Sequence, residues 1–173
     1  MTRRFGLLLA FMLAVAVGHV ATIQVAPTAI MRVAMDRLSD RGALINRFKF
    51  SPRVTAQSRW VVRPSPDLAY ASCTYDLSKG PILVEVPPSP DGSYASVSVF
   101  AGNTDNIAVF DTLRSPKGIR FVLQPQNLSV EAGVPVVYSP STKGIILDRR
   151  LAPTAQAFAV VDRARRADRC APL

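Results

Sequence analysis

The chain has 173 residues, enough for one domain with an appendage, and its 49% hydrophobic and 19% charged content excludes an intrinsically disordered chain. Two cysteines are too few for a disulfide scaffold or a four-cysteine zinc site, and a single histidine, His19, excludes most histidine-based catalysis. A formal net charge of +9 points to an anionic partner.

Arg3 and Arg4 precede an apolar run from Phe5 to Val25 in which only His19, Thr22 and Gln24 are polar. At about 1.5 Å per residue its length matches the roughly 30 Å hydrocarbon core of a bilayer. A cleaved signal peptide would use Phe5–Val17 as its apolar core and Ala16–Gly18 as its cleavage region. Apolar character continues past Gly18 to Val25 without a clear A-x-A site, so residues 1–27 are expected to be a retained transmembrane anchor. Ala10, Ala14 and Gly18 recur every four residues, a spacing that lets two membrane helices pack closely, although alanine is common in such helices.

Residues 28–58 are expected to hold a juxtamembrane amphipathic helix and a linker. Ile30, Met31, Ala34, Met35, Leu38, Gly42 and Ile45 follow helical spacing from Thr28 to about Leu44, with Asp36, Arg37, Asp40 and Arg41 opposite. Arg32, Arg37 and Arg41 follow the span, so charge alone does not fix its orientation.

The period becomes two in residues 59–152. Ala69, Ala71, Cys73, Tyr75 and Leu77 alternate with polar residues, as do Ile82–Val86 and Ala95–Val99. Shorter strands are expected at Ile107–Phe110, Ile119–Leu123, Val134–Tyr138 and Ile145–Leu147. Turn clusters at Ser78–Pro81, Pro90–Ser93, Ser115–Gly118 and Ser141–Gly144 separate them. The body is therefore mainly β, an antiparallel β-sandwich or partial barrel, and its 14 prolines argue against a helical one. Residues 153–173 are expected to form a C-terminal helix, Ala155 to Arg166, and a tail.

Cys73 lies on an apolar strand face and Cys170 near the C-terminus. A bridge between them would staple the terminal segment to the sheet and fits an exported body in an oxidising compartment. The basic excess is mainly arginine, spread along the chain with no nucleic-acid-binding signature, so nucleic acid is not an expected partner. Anionic lipid or an envelope polymer suits the charge better. Walker, G-x-G-x-x-G, G-x-S-x-G and H-E-x-x-H patterns are absent, no carboxylate cluster has metal-ligand spacing, and no cofactor is expected. Asp67 with Tyr70, and Asp105 with Asn103, are candidates to share a pocket. Asp and Asn near turns ordinarily cap backbone instead.

Arg63-Pro64-Ser65-Pro66-Asp67-Leu68-Ala69-Tyr70 is followed by Tyr75-Asp76-Leu77-Ser78-Lys79-Gly80-Pro81. Val84-Glu85-Val86-Pro87, Tyr94-Ala95-Ser96-Val97, Asn103-Thr104-Asp105-Asn106 and Tyr138-Ser139-Pro140-Ser141-Thr142 come next, with Arg149-Arg150 beyond. From about Arg59 to Leu151 this order of motifs resembles the domain-of-unknown-function family DUF1254. The resemblance implies a β fold and supplies no reaction. Longer members carry a second β domain, DUF1214, so it implies a short membrane-anchored form with a separately encoded DUF1214-like partner.

The expectation is thus a single-pass inner-membrane protein whose exported body binds or assembles envelope components. Strand edges, or the faces bearing Tyr70 and Tyr94, would make the contact. The candidate pocket or interface residues are Asp67, Tyr70, Asp76, Tyr94, Asn103, Asp105 and Asn106. The rival is an envelope enzyme, such as a hydrolase, with Asp67, Tyr70, Asp105 and Asn106 lining a small-molecule pocket.

Overall fold

The computed structural model describes residues 2–59, 64–128 and 133–173. Arg63, which opens the motif order given above, lies outside them. A long helix α1 (Thr2–Leu38) leads into β1 (Phe48–Phe50), β2 (Leu68–Asp76), β3 (Ile82–Val86), β4 (Ala95–Ala101) and β5 (Asn106–Asp111). Then follow β6 (Ile119–Pro125), β7 (Val136–Ser139), β8 (Lys143–Leu151), helix α2 (Ala155–Arg165) and β9 (Arg169–Pro172).

Two sheets pack face to face. One has the order β1-β2-β8-β4-β5 and the other β7-β6-β3-β9. Between them lie Ala71, Cys73, Tyr75, Val84, Val97, Val99, Phe121, Leu123 and Ile146, all buried, which are the apolar members of the period-two patterns. Phe110 stacks on Phe121 across the gap with ring centroids 4.6 Å apart. Cys73 on β2 is bonded to Cys170 on β9, so the disulfide joins the two sheets.

The boundaries differ from the sequence reading in three places. The anchor and the amphipathic segment form one helix that runs through Pro27. Proline removes one backbone donor, a loss that a long helix tolerates. That helix stops at Leu38, where Asp40, Arg41 and Gly42 take left-handed φ and Ser39 Oγ accepts the Gly42 N–H.

β1 and β9 lie in segments read as linker and tail. Neither alternates strongly enough to be seen alone, and each is fixed by its neighbour: Phe48 opposite Cys73, and Cys170 opposite Val84. Third, the pair β6–β7 is parallel and not a hairpin.

α2 begins at Thr154, whose side chain accepts the Ala157 N–H at 3.1 Å. Phe158 and Val161 pack on Ala69 and Ala152, closing one end of the sandwich. α1 has an apolar stretch of mean hydropathy 2.2 that no part of the body covers, long enough to cross a membrane by length and composition. Ala10, Ala14 and Gly18 are exposed along it.

Candidate functional site

The sequence-derived site residues occupy opposite ends of the five-stranded sheet. At one end, Asp67 is exposed in the turn before β2, and its carbonyl accepts the Ala152 N–H at 2.7 Å. Tyr70 is half-buried on β2, with its hydroxyl accepting the Ser65 N–H at 2.9 Å. Tyr94 stands just before β4, where its carbonyl accepts the Leu151 N–H.

At the other end, Asp76 pairs with Lys143 at 3.1 Å and accepts the Ser78 N–H at 2.9 Å. Burial pushes this carboxyl up, but the Ser78 hydrogen bonds and Lys143 outweigh it and hold Asp76 below the usual range. Asn103 donates to Asp105 at 2.6 Å in an exposed turn. The Asn106 amide donates to Ala108 O at 3.0 Å and Val99 O at 3.2 Å, at the bulge between β4 and β5.

Tyr70 lies opposite Arg149, and Asn106 lies opposite Phe100, which faces Ile145. The two groups are therefore about 13 Å apart along the strands and about 14 Å apart across them. Asp67, Tyr70, Asp105 and Asn106 do not meet in a common pocket. Asp76, Asn103 and Asp105 are capping and turn residues here. Among the described residues no group of acids, cysteines and histidine could hold a metal ion. An open cleft of about 780 Å³ lies between the end of α1 and β1, lined by Arg37, Asp40, Arg41, Lys49 and Phe50. Within it Lys49 pairs with Asp40 and donates to the Arg37 carbonyl.

The buried charges are elsewhere. Arg150, fully buried on the core face of β8, donates to Asp148 Oδ2 (2.9 Å), Ser89 Oγ (3.1 Å) and Asp168 Oδ1 (2.7 Å). The remaining oxygens, Asp148 Oδ1 and Asp168 Oδ2, are buried with no conventional donor. Burial raises both carboxyls and the neighbouring guanidinium groups offset this only in part, so the pair binds a proton more tightly than free carboxylates do. Burial, reinforced by the Asp148 charge and opposed by Arg150, pushes Asp168 up to about 9. This cluster ties β8 to the end of α2 and to the turn before β4.

Arg165, also fully buried, donates to Asp162 Oδ1 (2.9 Å from Nε), to Ser51 O (2.6 Å) and to Tyr70 O. It therefore fastens α2 to β2. Sequence reasoning missed both clusters. The signal of the first was Asp148-Arg149-Arg150 inside an apolar strand, where alternation alone cannot say which charges face inward.

The outer face of the larger sheet is chemically distinct. Residues of β2, β8 and β4 opposite in parity to the core, including Tyr70, Ser72, Leu147, Arg149, Ser96 and Ser98, point to it. The distal part of α1 rests on β2 and β8, with Met31 buried and Lys49 on the outer face of β1 bonded to the helix end. Beyond the helix Ser96 and Ser98 of β4 are buried, and exposed side chains lie around them. Tyr94 is 39% exposed, Leu151 43% and Val109 53%, with Leu113 80% exposed just past β5. A solvated sheet face is ordinarily polar, so these exposed apolar side chains depart from that pattern. Tyr70 and Tyr94, from the sequence-derived set, both belong to this face.

No relative among curated protein sequences matches the chain. Its fold is similar to the crystal structure of the VPA0106 protein from Vibrio parahaemolyticus, with TM-score 0.67 and 19% identity over 86% of this chain and 36% of that one. It is also similar to an uncharacterised protein from Burkholderia cenocepacia, with TM-score 0.52 and 15% identity over 70% of this chain and 35% of that one. The chain thus matches little more than a third of either structure's length. A family model described as "Protein of unknown function (DUF1254)" matches residues 45–172, the whole β body with α2, and the chain belongs to that family.

Proposed function

We propose that the protein is a single-pass inner-membrane protein whose β body is exported and serves as a binding or assembly module. Its partner is a separately encoded β-rich polypeptide of the DUF1214 type. The observation that carries this reading is the part of the outer sheet face beyond the helix, where Tyr94, Val109, Leu113 and Leu151 are exposed beside a half covered by the protein's own helix. The apolar part of α1 supplies the anchor. The Cys73–Cys170 disulfide fits an oxidising compartment such as the periplasm. Attraction of the basic chain to anionic lipid or envelope polymer accompanies this role without defining it.

The test is purification of the full chain from membranes in mild detergent. A stoichiometric β-rich partner is expected. A clean monomer under gentle extraction would contradict the proposal.

A further inference from the structure

Three arginines lie wholly or partly buried in the sandwich, and they are treated differently. Arg150 and Arg165 each meet at least one carboxylate and have every guanidinium nitrogen bonded. Arg149, half-buried at the middle of the outer face, has one hydrogen bond, from Nη2 to Ser98 Oγ at 2.9 Å. Its Nε is sealed from water with no acceptor, and no carboxylate lies within ion-pair distance among the described residues. The nearest acid in its cross-strand row, Asp111, is two strands away and accepts the Arg114 N–H.

Partial burial strips water from a guanidinium and strengthens its pull on an anion. Here the fold holds such a cation in place through Ser98, sets it between Leu147 and Leu151 on the same face of β8, and among the described residues supplies no counter-charge. We infer that Arg149 is the recognition residue of this face and that the docked polypeptide seats an Asp or Glu carboxylate on its outward nitrogens, with apolar side chains packed around it.

The inference rests on the proposed reading that the face receives a β-rich partner, and it adds what that partner must carry. A guanidinium fork matches a carboxylate in geometry as well as charge. A second copy docked face to face would set Arg149 against Arg149, so a different chain is the better complement.

The experiment uses the full chain in its membrane. A photocrosslinking amino acid at Leu151 identifies what touches the face, and the identified polypeptide is then purified and titrated against the full chain in detergent. Arg149→Met is expected to weaken binding at least about tenfold and to flatten its salt dependence. Arg149→Lys should restore part of the affinity. Arg149→Glu should be rescued only by Lys at the partner's contacting acid. Ser98→Ala, which frees the guanidinium, should weaken binding less. An unchanged thermal midpoint of each unbound variant excludes a folding effect.

Tight, unaltered binding by Arg149→Met would overturn this inference while leaving the proposed partner standing. Crosslinking at Leu151 only to lipid, to an envelope polymer or to a second copy would overturn both.

Discussion

Replacing Asp168 with asparagine isolates the shared proton. Asparagine keeps an acceptor for Arg150 and offers an amide donor to Asp148, so the contacts survive while the titration disappears. In the wild-type chain Asp168 is raised from 3.8 when unfolded to about 9 when folded. The folded state thus retains a proton that the unfolded chain releases between about pH 4 and pH 9. Stability tied to this group is fully present below pH 4 and falls as pH rises through that window, by at most about 1.4 kcal/mol per pH unit.

The carboxyls held low by hydrogen bonds and neighbouring cations, Asp76, Asp91 and Asp162, act with the opposite sign. Their stabilising contribution is lost only as pH falls below about 4. The interval from pH 5 to pH 8 therefore reads the buried pair nearly alone. Urea unfolding of the full chain in detergent, with the disulfide intact, should show wild-type stability falling by about 1 kcal/mol per pH unit across this interval. Asp168→Asn should show a shallower fall over the same interval. Parallel pH profiles for the two proteins would refute the shared proton.

Three further outcomes follow from the packing. Gly144→Ala would place a Cβ 2.1 Å from the Phe100 carbonyl oxygen and 2.4 Å from the Tyr75 hydroxyl. A loss of about 3 kcal/mol or more is expected in the same unfolding assay, against little change for Gly6→Ala, whose surroundings are open and whose backbone is helical. Arg165→Ala removes the hydrogen bonds to Ser51 O and Tyr70 O, and with them the link between α2 and β2, and should cost about 3 kcal/mol. Exposed Arg166→Ala should cost less than about 1 kcal/mol, measured side by side. Reducing Cys73–Cys170, which closes a sequence separation of 97, should remove about 5 kcal/mol in the chain-entropy account, read as a shift in urea midpoint.

The sequence made the sheets legible where one face is buried and the other is not. β3 and β8 keep their alternation in the burial pattern, and Gly80, Gly92 and Gly118 take the positive φ that their turn clusters demand. Cys73 and Cys170 were legible as a pair because they are the chain's two cysteines and Cys73 lies on an apolar strand face. β1 and β9 were not legible, because three or four residues carry too little periodicity and their pairing is decided by distant neighbours. The candidate site failed for a related reason. Asp67 and Asp105 are both turn residues with catalytic chemistry, and only the strand register reveals that they stand at opposite ends of the sheet. Arg149 and Arg150 are adjacent and chemically identical, and only the pleat separates the core cation from the one on the outer face.

The exported, anchored body is tested most directly by alkylating thiols in intact cells with and without reductant, alongside a C-terminal reporter active only outside the cytoplasm. The account predicts that Cys73 and Cys170 resist alkylation until reduced, and that the reporter is active in the membrane fraction. Free thiols with a reporter silent outside the cytoplasm would contradict it.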